Sequence, residues 1–294
     1  MEKSMIGKYE VTSIVEQAVA YAPARAFFPS MTDDMLTTCM HDLPSGQISP
    51  DGLLHMNFQG FVLRSGRYTI LIDTCCGSDK DRHPVPMFDR RKTDFLTVLA
   101  AAGVQPEEVD FVMCTHLHWD HVGWNTQLVD GTWRPTFPNA RYVMSKQEYE
   151  HWDQVYRSGK IDMHTLAFAD SVMPVWRAKQ AMLVQHDFEL EKGIWIEACP
   201  GHTPGNYVVN VSDGGSQGVV IGDVIHHQAQ LRFPHLSSRA DDDPDLARKT
   251  RTALIEKHAD TGHILLPAHF PTPSMGSIES SPNGAFSYRP SPQL

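Results

Sequence analysis

The sequence predicts an α/β (α+β) fold, and three observations predict it. Short apolar runs of strand length end repeatedly in Asp or His, one strand pair is broken by a Ser-Gly turn, and two segments carry helix-start signals. A chain of 294 residues is long enough for one large two-sheet domain or two small ones.

Taken in order, residues 1–57 are the least regular, with turn signals at Pro44, Gly46, Pro50 and Gly52. They are expected to form an N-terminal arm and cover segment belonging to the same domain as residues 58–294. Phe61 to Asp73, interrupted at Ser65-Gly66, reads as a hairpin that starts the first sheet. Gly103 and Pro106 then precede Val109 to Cys114, a short apolar run that reads as a buried strand. Asn125 to Asn139 is a turn region, Arg141 to Met144 a strand, and Ser145 a helix start, since Ser145-Lys146-Gln147-Glu148 has the capping-box form. Ile194 to Ala198 and Val219 to Ile221 read as strands, the second ending in Gly222-Asp223. Asp243-Pro244 to His258 is a second helix with Pro near its first turn and apolar Leu246, Leu254 and Ile255. His263 to Ala268 is a late strand ending at His269, after which a Pro/Ser-rich tail predicts a cover strand or loop.

Composition narrows the class. A hydrophobic content of 41% is that of a soluble globular protein, and a net charge of −10 gives no basic surface for nucleic acid. The N-terminus lacks the apolar core of a secretion signal, and no apolar stretch approaches a membrane span. Five cysteines, an odd number that includes the adjacent Cys75-Cys76, do not resemble a disulfide framework. A reduced cytoplasmic compartment is the expectation, and the N-terminal arm offers a route to a homodimer.

The chemistry concentrates in Thr115-His-Leu-His-Trp-Asp-His-Val122, where His116, His118, Asp120 and His121 are donors suited to a divalent metal. His116 and His118 leave a strand end two residues apart, so an extended backbone points both to one side. Asp120 and His121 follow where the chain turns and approach from another direction, an arrangement that fits two adjacent ions better than one. Downstream, His202 sits between Pro200-Gly201 and Pro204-Gly205, Asp223 ends a strand where its two oxygens can bridge two cations, and His269 ends another.

This order of motifs (His-x-His-x-Asp-His, a Gly-His turn, Gly-Asp, a strand-end His) resembles the metallo-β-lactamase superfamily from about Phe61 to His269. The resemblance implies a four-layer αβ/βα sandwich with a metal site at one edge of the sheets. It implies that His116, His118 and His202 hold one ion, that Asp120, His121 and His269 hold the other, and that Asp223 bridges them. Asp73 matches an aspartate that orients the first loop. The reaction implied is hydrolysis by a metal-bound hydroxide, with two ions that are expected to be zinc. No Gly-x-Ser-x-Gly elbow competes with this reading.

Within the superfamily the chain looks most like the branch of lactonases and methyl parathion hydrolase. His226 stands three residues after Asp223, where quorum-quenching acyl-homoserine lactonases carry a tyrosine, so the expected substrate is a small, fairly hydrophobic ester or lactone, or an organophosphate triester. Asp120, Asp223 and His226 are the expected catalytic residues. Trp119, Trp124 and Phe28 are expected pocket walls, with Phe27, Met31, Met35, Met87 and Phe88 as further apolar candidates. The alternatives are an acyl-homoserine lactonase and a mononuclear iron dioxygenase acting on a thiol or persulfide.

Overall fold

Two seven-stranded sheets face each other, and each is covered on its outer side by helices. The computed structural model describes residues 1–281 and 284–292; residues 282, 283, 293 and 294, the last two closing the expected 58–294 domain, lie outside the described residues. The chain lays down β1 (Lys3–Ile6), β2 (Tyr9–Pro23), β3 (Leu53–Arg64), β4 (Thr69–Ile72) and β5 (Phe111–Cys114). A separate hairpin, β6 (Thr126–Val129) and β7 (Thr132–Pro135), precedes β8 (Arg141–Ser145) and β9 (Ala181–Val184). The second sheet holds β10 (Glu189–Glu191), β11 (Ile194–Ala198), β12 (Tyr207–Asp213), β13 (Ser216–Gly222), β14 (Ile264–Pro267), β15 (Gly276–Ser280) and β16 (Phe286–Pro290).

The layers follow from the two-residue period of each strand. On β4, Ile70 and Ile72 pack toward the second sheet with Val209, Val220 and Leu266, while Leu71 faces the cluster of Phe95 and Leu99. On β13, Val220 points inward, whereas Val219 and Ile221 meet Leu254 and Ile255 of the helix Pro244–His258. The result is helix, sheet, sheet, helix, the expected four-layer sandwich.

Strand direction places the site. β4 pairs parallel with β5, and β13 pairs parallel with β14, so each sheet aligns two C-terminal ends at one edge. Asp73, the Thr115–His121 loop, Asp223 and His269 all leave from those ends. Gly222 permits the close approach of the sheets there, since its φ is +48° and a Cβ would stand 2.8 Å from Thr115 Oγ1.

The N-terminal expectation needs correction. Residues 1–57 are not irregular: β1 and β2 form the edge of the first sheet, and Asp33–Asp42 is a helix. Two register shifts, at Val15/Gln17 and Ala20/Ala22, break the alternation of β2 and conceal a 15-residue strand. The 125–139 turn region likewise contains the β6–β7 hairpin, and Leu246 is exposed rather than part of the packed helix face.

One buried polar assembly ties the outer layer together. Lys80 and Arg82 are fully buried and share Asp170, which accepts two hydrogen bonds from the Arg82 guanidinium at 2.8 and 3.1 Å. Lys80 Nζ lies 3.4 Å from the same carboxylate, donates to Thr126 Oγ1 at 2.6 Å and sits 3.5 Å over the Trp133 ring. Burial pushes the Lys80 ammonium down to about 7; Asp170 opposes that shift and Arg82 adds to it.

Removing the carboxylate with Asp170→Asn leaves a buried guanidinium unpaired, and denaturant unfolding is expected to show a loss of about 3–5 kcal/mol. Lys80 carries its proton in the unfolded chain up to its ordinary pKa but in the folded chain only up to about 7, so protonation penalises the fold. Lys80→Met removes that penalty. Its stability relative to the parent is expected to be highest at and below neutral pH and to decline steadily toward pH 10, measured as unfolding midpoints of both proteins across that range.

Candidate metal centre

Four segments bring their donors together at the aligned strand ends. His116 Nε2, His118 Nδ1, His202 Nε2 and Asp223 Oδ2 form one group; Asp120 Oδ2, His121 Nε2, His269 Nε2 and Asp223 Oδ1 form the other. Asp223 belongs to both. Its Oδ2 lies 3.3 Å from His202 Nε2 and 3.8 Å from His116 Nε2, while its Oδ1 lies 3.1 Å from His121 Nε2 and 3.0 Å from His269 Nε2.

The protein by itself does not satisfy these atoms. His116 Nε2, His121 Nε2 and Asp223 Oδ1 are buried without a hydrogen bond; the short His121–Asp223 approach lacks the alignment of one. His118 Nδ1 and His202 Nε2 face each other at 2.9 Å, two ring nitrogens competing for one proton. Convergent lone pairs of buried imidazoles and carboxylates are the chemistry of a divalent-ion site, and the donor set fits one ion in each group.

A set of fixed partners aims the rings. The opposite nitrogen of His121 donates to Asp73 Oδ2 at 2.9 Å, that of His202 to Asp241 Oδ1 at 2.9 Å, and that of His269 to the Asn57 carbonyl at 2.8 Å. Thr115 Oγ1 donates to Asp73 at 2.8 Å and therefore accepts from His116 Nδ1 at 3.2 Å. In each case the partner fixes the proton on Nδ1 and leaves the Nε2 lone pair for the site. Asp73 also accepts the Thr115 backbone N–H at 2.8 Å, so it holds the loop as well as one of its rings.

Glu148 joins the two ligand-bearing turns. Its carboxylate accepts the N–H of Leu117 at 3.1 Å, the N–H of Gly205 at 2.9 Å and the indole N–H of Trp152 at 2.8 Å. Gly205 must be glycine for this, because a Cβ would stand 2.3 Å from the Glu148 nitrogen. The Ser145 hydroxyl does accept the Glu148 N–H, as the capping box predicts, but the Glu148 side chain is committed to the metal loops instead. On the other flank, half-buried Glu16 accepts the N–H groups of Cys76 and Gly77, the Thr93 hydroxyl and the Trp124 indole N–H.

Burial drives His116 and His118 well below the ordinary histidine range. Burial would lower the other three rings too, but carboxylates overcome it: Asp223 and Asp73 lift His121 well above that range, Asp223 and Asp241 lift His202 to about 9, and Asp223 raises His269. Asp223 is held far below the carboxylate range by His121, His269 and His226 despite its burial.

Above the donors lies a cavity of about 290 Å³ whose walls include Tyr21, Phe27, Phe58, Trp119 and Met163. His226 lines it, with Nε2 3.2 Å from Asp223 Oδ2 and neither ring nitrogen hydrogen-bonded. Trp119 lines it and packs on Phe88 at 4.6 Å. Two expected wall residues are corrected. Trp124 turns away from the cavity to stack on Phe95 and bond Glu16, and Phe28 is fully buried behind its neighbour Phe27. Asp241, Glu148, Glu16, Asn57 and His164 were not read as site residues from the sequence. His164, whose Nδ1 is buried without a partner, lies with its ring centroid 4.0 Å from that of His118. For Asp241 a signal existed, the Asp241-Asp242-Asp243 run, of which only the last caps the helix.

The family model for the metallo-β-lactamase superfamily matches residues 60–269. An N-acyl homoserine lactonase from Bacillus cereus is 24% identical over 182 residues, 57% of this chain and 64% of that protein. The chain thus spans just under two thirds of the first curated relatives it matches. The metallo-beta-lactamase domain-containing protein 1 of Xenopus laevis is 28% identical over 214 residues, 71% of this chain and 70% of that one. Among solved structures, the hydrolase AbOPH superposes with a TM-score of 0.83 at 23% identity, covering 100% of this chain and 98% of its own. AidC, described as a dizinc quorum-quenching lactonase in complex with its product, superposes with a TM-score of 0.80 at 22% identity, covering 100% and 98%.

Asp241→Asn keeps the shape of the partner but removes the charge that fixes the His202 tautomer. Chelator competition is expected to show metal affinity reduced about 10–100-fold, in a protein whose circular dichroism is unchanged.

Proposed function

The chain belongs to the metallo-β-lactamase superfamily, and from that premise we propose that it is a binuclear metal-dependent hydrolase of a small, largely apolar lactone or ester. One observation carries the proposal: Asp223 presents one oxygen to each of two complete donor groups. The completeness of the second group also weighs against a mononuclear iron oxygenase, which would leave Asp120, His121 and His269 without a task. His and carboxylate donors suit zinc, the metal named for the similar lactonase AidC. A pair of such ions supplies, when bound, a water acidic enough to attack at neutral pH and a Lewis acid for the substrate oxygen.

The remaining work falls to the chain's own side chains. Asp120 is the one partly exposed donor and lines the cavity, so it can accept the proton that the attacking water loses. His226 reaches the cavity with both ring nitrogens uncommitted, and it offers an N–H to the carbonyl or leaving-group oxygen. Aromatic and Met walls exclude water and take an acyl or aryl group of modest size, since the cavity of about 290 Å³ is at the small end for ligand sites. The curated Bacillus relatives, N-acyl homoserine lactonases, favour a lactone ring over a phosphotriester.

The test is metal analysis beside a panel of lactones (acyl-homoserine lactones included), aryl esters, phosphotriesters and β-lactams. Two ions per chain with lactone or ester turnover are expected; one iron per chain with no hydrolysis would sink the reading. Asp223→Ala is expected to abolish turnover and reduce the metal content, whereas His226→Ala is expected to lower kcat about 100-fold with both ions retained.

A further inference from the structure

Among the residues lining the cavity, Arg239 is the one permanent cation. It lies at the end of Pro234–Arg239, a stretch fixed to the site by its flanks: Arg239 donates its backbone N–H to the Phe27 carbonyl at 2.9 Å, and Asp242 and Asp243 donate theirs to His202 and Gly201 at 3.0 and 2.9 Å. Its position is therefore set by the same contacts that place the wall residue Phe27 and the ligand His202.

Three acids follow Arg239 in sequence, and each is engaged elsewhere. Asp241 holds His202 and Ser238, Asp242 faces His151 at 3.5 Å, and Asp243 caps the following helix through the Leu246 N–H. Arg239 is exposed, and among the described residues none forms an ion pair or a side-chain hydrogen bond with its guanidinium. Asp120 and Asp223, the other acids lining the cavity, belong to the donor groups at its floor. An apolar cavity thus has a charged floor and a single unpartnered fork of donors on its wall.

Resting on the hydrolase reading, we propose that Arg239 selects a substrate bearing a carboxylate remote from the bond that is cut: an apolar ester or lactone with an anionic tail. A planar guanidinium receives a carboxylate through two parallel hydrogen bonds, which an ammonium cannot reproduce. The net charge of −10 opposes an anion at long range, but salt screens that repulsion beyond about 8 Å, and inside the cavity the nearby guanidinium dominates. Neutral esters enter the same apolar walls without this contact.

Two measurements on the metal-loaded protein test the proposal. The first compares kcat/KM for the 4-nitrophenyl monoester of adipic acid, whose carboxylate is too far from the ester to displace the phenolate readily itself, with that for its methyl-capped, neutral counterpart. A preference of about tenfold for the acid is expected, carried mainly by KM, and it should fall to about one in Arg239→Gln and recover in part in Arg239→Lys. The second measures calorimetric binding of the non-hydrolysed adipic acid monoanilide against its methyl ester, with the same expected ratio and the same loss in Arg239→Gln. A ratio near one in the parent, or a ratio that survives Arg239→Gln, overturns the assignment. If no ester is turned over but the binding difference is present and depends on Arg239, the hydrolase reading fails while the anion contact stands.

Discussion

The arrangement rests on one buried carboxylate surrounded by imidazoles. Asp223 has ring nitrogens within 3.3 Å of both oxygens, and burial in a medium of low polarity makes every unpaired group there expensive. The chain relieves part of this by pulling the rings in opposite directions: burial holds His116 and His118 low, while carboxylates raise His121 and His202. Such a division keeps the cluster folded but leaves lone pairs unsatisfied. Two cations complete it, and the rings that must offer them lone pairs include those whose protonated forms the carboxylates favour. Metal loading and the protonation state of the cluster are therefore one equilibrium.

Pointing the lone pairs is a separate task, given to residues that never face the cavity. Asp73, Asp241, Thr115 and the Asn57 carbonyl each occupy one nitrogen of a ring, and they come from β3, from the ends of β4 and β5, and from a loop. Glu148 and Glu16 act one step further out by holding backbone N–H groups of the loops. Glu148 joins Leu117 to Gly205 and so ties together the two turns that carry His116, His118 and His202. Precision at the metals is thus built from hydrogen bonds at two levels, side chains that fix the rings and carboxylates that fix the main chain of the loops.

This division explains what could be read in the sequence. The His116–His121 cluster was legible because its donors are local, and backbone alternation at a strand end settles their directions. Asp223 and His269 were legible because apolar runs stop abruptly before them, and the four layers were legible through the family resemblance those residues support. Glu148 was misread for a physical reason: a capping box and a loop clamp use the same residue type at the same helix position, and only the third dimension separates them. β2 was missed because its bulges interrupt the two-residue period, and with it went Glu16. Trp124 follows the ligand motif closely in sequence, but the helical turn Gly123–Asn125 rotates it toward Glu16 and away from the metals.

The cavity walls obey other rules than the floor. They come from segments far apart in the chain (Phe27, Phe58, Val85, Trp119, Met163 and Arg239), so no local pattern encodes them. Phe58 stands on β3 and Trp119 in the ligand loop, whereas the other segments are anchored at a few points rather than by the sheets. The stretch carrying Val85 hangs on Lys80 and Arg82, which reach across to Asp170, and Phe27 is tied to Arg239 through a backbone bond. A wall held by such cross-links can change its lining without disturbing a ligand, because the ligands draw their rigidity from strand ends and from their own hydrogen-bond partners. Substitutions that alter substrate choice should therefore be tolerated in the walls where the same changes on the floor would cost the metals. The physical separation of floor from wall is also why the residues that declare the chemistry are silent about the substrate.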